Sequence, residues 1–163
     1  MNKEQLQQKI VDMEKQLAEL KKELEKKDKG IWKPDKCEYY YFVDIDGGVI
    51  DDVNEDSNTD DERFLFGNYY KTEEEAEKMS NYLKYTNLLR KYVEEHSEPL
   101  DWESNDDKFW ISYNYYTRAI MTDQDDCCQQ QGTIYASSEE VLRQAIEFVG
   151  EENIKKYIFG IEE

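Results

Sequence analysis

The stretch FVDIDGGVID, Phe42 to Asp51, places two carboxylates, Asp44 and Asp46, and then Gly47 directly after an apolar, aromatic run. At the mouth of a strand, that spacing suits phosphoryl transfer: the first carboxylate attacks and the second delivers a proton to the leaving group. The competing reading is a hairpin turn. There a glycine takes a positive φ and an aspartate accepts local hydrogen bonds.

Asp44-x-Asp46-Gly47 is similar to the opening motif of haloacid-dehalogenase-type phosphatases. That class also implies Thr or Val after the glycine, a Ser/Thr strand end, a lysine and a distal acid pair, all on a parallel sheet. Here Gly48 follows, and no strand–helix–strand alternation comes after it, so the turn is the expected reading. Other chemistry is sparser still. His96, the single histidine, stands near a helix C-terminus, where a cation meets the negative end of the dipole. Asp51-Asp52, Asp60-Asp61, Asp106-Asp107 and Asp125-Asp126 are pairs of oxygen ligands without EF-hand spacing. Cys37, Cys127 and Cys128 give neither CxxC spacing nor a disulfide framework. No catalytic residue, metal site or cofactor is expected, and Cys127-Cys128 reads as a pair of ordinary loop thiols.

Composition frames these residues. The 163-residue chain is 38% hydrophobic and 37% charged, which approaches the make-up of disordered chains. Thirteen tyrosines, six phenylalanines and three tryptophans nevertheless demand a core. The net charge of −18 is uneven. Residues 1–36 carry ten lysines against eight acids, whereas residues 37–163 carry eleven basic residues against thirty-one acids, a net of −20. Such a field repels nucleic acid and anionic membranes and attracts basic protein surfaces. Met1 to Gln5 opens a charged helix rather than a signal peptide, so a cytoplasmic setting is expected.

The elements follow from period and punctuation. Leu6, Ile10, Met13, Leu17, Leu20 and Leu24 alternate four and three apart, the seam of a coiled coil, with Ile10, Leu17 and Leu24 at a and the others at d. Lys9 at g can face Glu14 at e of a parallel partner, so residues 1–29 are expected to form a dimerising helix. Residues 30–163 are expected to form an acidic α+β domain. Glu38–Ile45 reads as a strand, with a return from Val49 after Gly47-Gly48. Asp51–Glu62, with seven acids, reads as a mobile, solvated loop, and Arg63–Tyr70 as a third strand. Thr72-x-x-Glu75 is a capping box opening a helix of roughly 25 residues, with Ala76, Met79, Leu83, Leu88, Leu89, Tyr92 and Val93 facing inward. The order then repeats: a strand over Lys108–Tyr116, its partner at Ala119–Met121, an acidic loop over Asp123–Gln131 and a strand over Gly132–Tyr135. A second capping box at Ser137–Glu140 follows, then a helix with Val141, Ala145 and Val149 on one face, ended by Gly150. The fold class expected is two tandem β-β-β-α units with antiparallel sheet, about 31–98 and 99–163.

Several stretches carry a resemblance: Trp32-Lys33-Pro34, Tyr39-Tyr40-Tyr41, the run from Arg63 through Gly67-Asn68-Tyr69-Tyr70 to Glu77, the run from Gln131 to Glu140, and the ending from Gly150 to Glu162. These resemble small proteins encoded by phages and prophages of Firmicutes. The resemblance transfers no catalytic residue and implies an accessory phage gene. By analogy with anti-CRISPR proteins and restriction inhibitors, it suggests a DNA-mimicking inhibitor of a host nucleic-acid-binding enzyme, with a Cas9-type nuclease favoured. The expected partner-binding acids are Asp51, Asp52, Glu55, Asp56, Asp60, Asp61 and Glu62, with Glu73, Glu74 and Glu77 on the neighbouring helix. Neither direct nucleic-acid nor membrane binding is expected. The alternative is a structural or regulatory phage module whose coiled coil is the working part.

Overall fold

The computed structural model describes residues 3–27 and 30–162. It is a mixed α+β structure with two small antiparallel sheets of two strands each and several helices. Helix α1, Lys3–Lys27, carries the seam. Its described members Ile10, Met13, Leu17 and Leu20 are 55–63% exposed. The side chains of Leu6 and Leu24 lie outside the described residues. No helix among the described residues is long and apolar enough to cross a membrane.

Strands β1, Tyr39–Val43, and β2, Val49–Val53, form the first hairpin, with Tyr41 opposite Asp51 and Val43 opposite Val49. Alternation turns Tyr40 and Phe42 inward, where they meet Tyr69 to make a small aromatic core flanked by Trp32 and Phe64. Buried Asn54 ties down the segment before β1. Its side-chain amide donates to Pro34 O at 2.8 Å, and its backbone carbonyl accepts from Cys37 N at 2.8 Å.

The acidic stretch after β2 departs from the expected loop. From Asn58 to Leu65 it is helix α2, capped by Ser57, whose hydroxyl accepts from Asp60 N while the Asp60 carboxylate accepts from Ser57 N. The reciprocal cap satisfies two amides that would otherwise be unpaired at the helix start. Arg63–Tyr70 is consequently not a strand. α2 runs through its first residues and ends at Gly67, whose φ of +69° the turn requires. Of this stretch only Tyr70 forms a backbone bridge to the sheet, exchanging hydrogen bonds of 2.9 Å with Tyr41 in both directions, while the Asn68 side chain accepts from Val43 N and donates to Val43 O, each at 2.8 Å.

Helix α3, Glu73–His96, begins at Thr72 with both halves of the capping box formed. Replacing Thr72 with alanine is expected to cost about 1 kcal/mol, read as a fall of about 2–4 °C in Tm. Of the residues expected inward, Ala76, Leu89 and Val93 are buried and Met79 and Tyr92 are half-buried, whereas Leu83 and Leu88 are exposed. α3 packs first on the β1–β2 hairpin and then on the second half of the chain.

That half holds β3, Lys108–Asn114, and β4, Ala119–Asp125, paired from Lys108 opposite Asp125 to Asn114 opposite Ala119. β4 takes in Asp123–Asp125, so the acidic loop is shorter than its sequence suggests. Gly132–Tyr135 forms no strand; Ala136 alone bridges to Phe109. Helix α4, Glu139–Val149, is capped by Ser138 rather than Ser137, and only half of a capping box forms, because Val141 at its third position has no carboxylate to return. Ser137 instead bonds Ser97 beyond the end of α3. The buried face is Leu142, Ala145 and Val149, with Val141 half-buried. Gly150 ends α4 at a φ of +91°. A short helix, α5, Glu151–Asn153, and a π-helical turn, Ile154–Ile158, close the main core, in which Leu89, Val93, Ala136, Leu142, Ala145, Val149 and Ile154 pack together.

Candidate functional site

The Asp44-x-Asp46-Gly47 pair lies in the β1–β2 turn. Asp44 N donates to Gly48 O at 2.7 Å, Gly47 N donates to Asp44 O at 2.9 Å, and the Asp44 carboxylate accepts from Ile45 N at 2.6 Å. Gly47 has φ +82°, the conformation the turn needs. Its carbonyl accepts the Ser80 hydroxyl at 2.6 Å, which docks the turn on α3. The carboxylates therefore close an antiparallel hairpin, and no parallel strands occur among the described residues. His96 is the last residue of α3, stacked on Tyr92 at 4.1 Å, with Nδ1 at 2.8 Å from the Tyr92 carbonyl.

The acids proposed for partner binding gather around the first hairpin, on β2, the loop after it, α2 and the start of α3, but they do not form one class. Asp60 is buried, 3% exposed. Its Oδ1 accepts the Tyr40 hydroxyl at 2.7 Å, and its Oδ2 accepts Ser57 N at 3.0 Å, Ser57 Oγ at 2.8 Å and Glu55 N at 3.1 Å. Burial pushes this carboxyl upward, but the donors around it outweigh burial and hold it down at about 2. Asp60 thus organises the interior and offers nothing to a partner. Arg63 completes the network by donating to the Tyr40 hydroxyl and to Asp52 while lying 3.6 Å over the Phe42 ring. Tyr69 stacks on Tyr40 at 3.8 Å, and burial raises the phenols of both tyrosines.

Four further candidates are neutralised locally. Asp52 pairs with Arg63, Asp56 with Lys36 at 3.4 Å, Asp61 with Lys33 at 2.9 Å, and Glu74 with Lys78 at 3.0 Å. The other five, Asp51, Glu55, Glu62, Glu73 and Glu77, are exposed and have no ion-pair partner among the described residues. Glu74 and Glu77 open onto a cleft of about 700 Å³ between the start of α3 and the π-helical turn. Lys78, Lys155 and Lys156 line the same cleft, so its potential is mixed rather than anionic.

Two groups escape a reading of the sequence. The Asp60 network had one signal, Ser57 three residues ahead of Asp60, which the density of acids obscured. The other group is Asp125 with Cys127 and Cys128, whose ligand atoms lie within 4.8 Å of one another. Contacts with Cys128, Asp125 and Asp126 push the Cys127 thiol up to about 12, so it is no activated nucleophile. Comparisons with protein-family models, curated proteins and solved structures find no match for this chain.

Proposed function

We propose that this chain is a non-catalytic, phage-derived inhibitor that acts in the host cytoplasm. Its acidic body would compete with nucleic acid for the basic channel of a host defence nuclease, a Cas9-type effector being favoured. The observation that carries this reading is the set of five exposed, unpaired carboxylates around one hairpin: Asp51 on β2, Glu55 in the loop that follows it, Glu62 on α2, and Glu73 and Glu77 on α3. The net of −20 over residues 37–163 supplies the long-range attraction. Asp60 is withdrawn from the contact set, and the paired Asp52, Asp56, Asp61 and Glu74 are secondary to it.

The body is read as two tandem hairpin–helix units, with Tyr70 matching Ala136 and the caps Thr72 and Ser138 in register. This moves the match by one residue from Ser137, and a single bridged residue takes the place of each third strand. The seam of α1 is read as a coiled coil that joins two bodies and adds avidity.

A pull-down from host lysate, run at low and high salt, tests the function. Mimicry predicts recovery of a nucleic-acid-binding enzyme, with about tenfold or greater loss across a fourfold rise in salt. The triple variant Asp51→Lys, Glu62→Lys, Glu77→Lys is expected to abolish recovery at both salts. Salt-independent recovery of a virion or regulatory protein would sink this reading. It would favour the second one, a structural module working through α1, for which the exposed Ile10, Met13, Leu17 and Leu20 speak.

A further inference from the structure

At the end of β4 the chain turns sharply through Asp126 to Cys128. The Asp125 Oδ1 gathers this turn, accepting Cys127 N at 2.9 Å, Cys128 N at 3.2 Å and Cys127 Sγ at 3.4 Å. The two sulfurs stand 3.6 Å apart. A tetrahedral ion with metal–sulfur bonds of about 2.3 Å and metal–oxygen bonds of about 2.0–2.2 Å holds two sulfurs about 3.8 Å apart, and a sulfur and an oxygen about 3.5–3.7 Å apart. Two of the three ligand–ligand distances are therefore close to edges of a coordination tetrahedron, and all three ligand atoms lie within 4.8 Å of one another.

The loop is also held from beneath. Lys108, only 1% exposed and opposite Asp125 in the sheet, donates from Nζ to Ser104 O at 2.9 Å and to Asp126 O at 3.4 Å. The Tyr135 hydroxyl donates to Cys128 O at 3.3 Å and accepts Gln130 N at 2.7 Å. The Tyr135 ring is itself fixed edge-on against Trp102 and Trp110. Buried or nearly buried donors thus hold the carbonyls on both sides of Cys127, as ligands that must keep their positions require. A solvated acidic loop carrying two incidental thiols needs no such clamp.

We propose that Asp125, Cys127 and Cys128 form a binding site for a single thiophilic divalent cation of the zinc type. Two sulfurs and one carboxylate oxygen fill three tetrahedral positions, and the exposed face of the loop leaves the fourth to water. Soft sulfur ligands select this class over calcium or magnesium, which take oxygen shells. The proposal is independent of the inhibitor reading, because none of the acids invoked there belongs to the triad.

The test is titration of the full chain with cobalt(II), cadmium(II) and zinc(II) under a phosphine reductant, in a Cys37→Asn background that removes the remaining thiol. The expected result is one ion per chain, tetrahedral cobalt d–d bands and a thiolate-to-metal charge-transfer band. Cys127→Ser and Cys128→Ser are each expected to weaken binding at least about tenfold, and Asp125→Asn by a smaller factor. The two thiols are exposed and Asp125 is half-buried, and unchanged far-UV circular dichroism will show that each variant folds. Absence of a charge-transfer band at millimolar metal would overturn the proposal, and so would a band that survives both cysteine substitutions.

Discussion

Asp60→Ala is expected to lower stability by about 3 kcal/mol, seen as a fall of about 6–12 °C in Tm for a chain of this size. The loss is large because one carboxylate serves four donors: the Tyr40 hydroxyl, the amides of Ser57 and Glu55, and the Ser57 hydroxyl. Alanine leaves the buried Tyr40 hydroxyl facing only the Arg63 guanidinium, and it removes half of the cap that starts α2. The same carboxylate predicts a pH dependence. Its folded pKa lies near 2, below the ordinary value of 3.8, so the stability it contributes is fully present above about pH 4 and is lost as pH falls towards 2. That contribution is about 2 kcal/mol. Asp60→Asn keeps the shape but presents an amide where donors converge, so it is expected to be destabilised at neutral pH with a flatter acid limb. Urea midpoints from pH 2 to 7 for the parent and both variants measure this. A parent and an Asp60→Asn variant with parallel acid limbs would show that other carboxylates govern acid unfolding.

A seam broken at its a positions is the second large effect. The double variant Ile10→Glu, Leu17→Glu is expected to sediment as a monomer at concentrations where the parent is dimeric. Each glutamate would have to be buried opposite its own copy, at a cost of several kcal/mol per dimer that a short coiled coil cannot offset. Both side chains are more than half exposed in the single chain, so the Tm of the α+β body should not move. Target recovery is the informative readout. If the acidic body is the working part, the variant still captures its enzyme, weakened by lost avidity of up to about 10²–10⁴-fold. If α1 is the working part, recovery vanishes altogether. A parent that already sediments as a monomer would remove the coiled coil from the account.

The parts of the fold that were legible are those whose causes lie within a few residues. The helix of α1, the Thr72–Glu75 box, the glycines at 47 and 150, and the aromatic strands at 39–43 and 108–114 each announce themselves through period or capping, and each is found. Asp51–Glu62 was misread because seven acids in a short run resemble solvated chain, whereas α2 depends on one of those acids turning inward to meet Tyr40, twenty residues away. Arg63-Phe64-Leu65-Phe66 fits a strand or a helix by pattern. The Ser57 cap decides for the helix, and Arg63 then reaches both Asp52 and Tyr40.

The candidate sites divide along the same line. Charge sign and excess follow from composition alone, because every carboxylate counts wherever it sits, and the prospect of a paired N-terminal helix follows from heptad spacing within one segment. Which carboxylates remain free depends on folding: desolvation and pairing belong to residues distant in the chain, and they separate Asp60 and Asp52 from Asp51 and Glu62. Folding likewise makes a clamped ligand set of Asp125, Cys127 and Cys128, because Lys108 and Tyr135 reach that loop only once the second hairpin has closed and the Tyr135 ring has packed on Trp102 and Trp110.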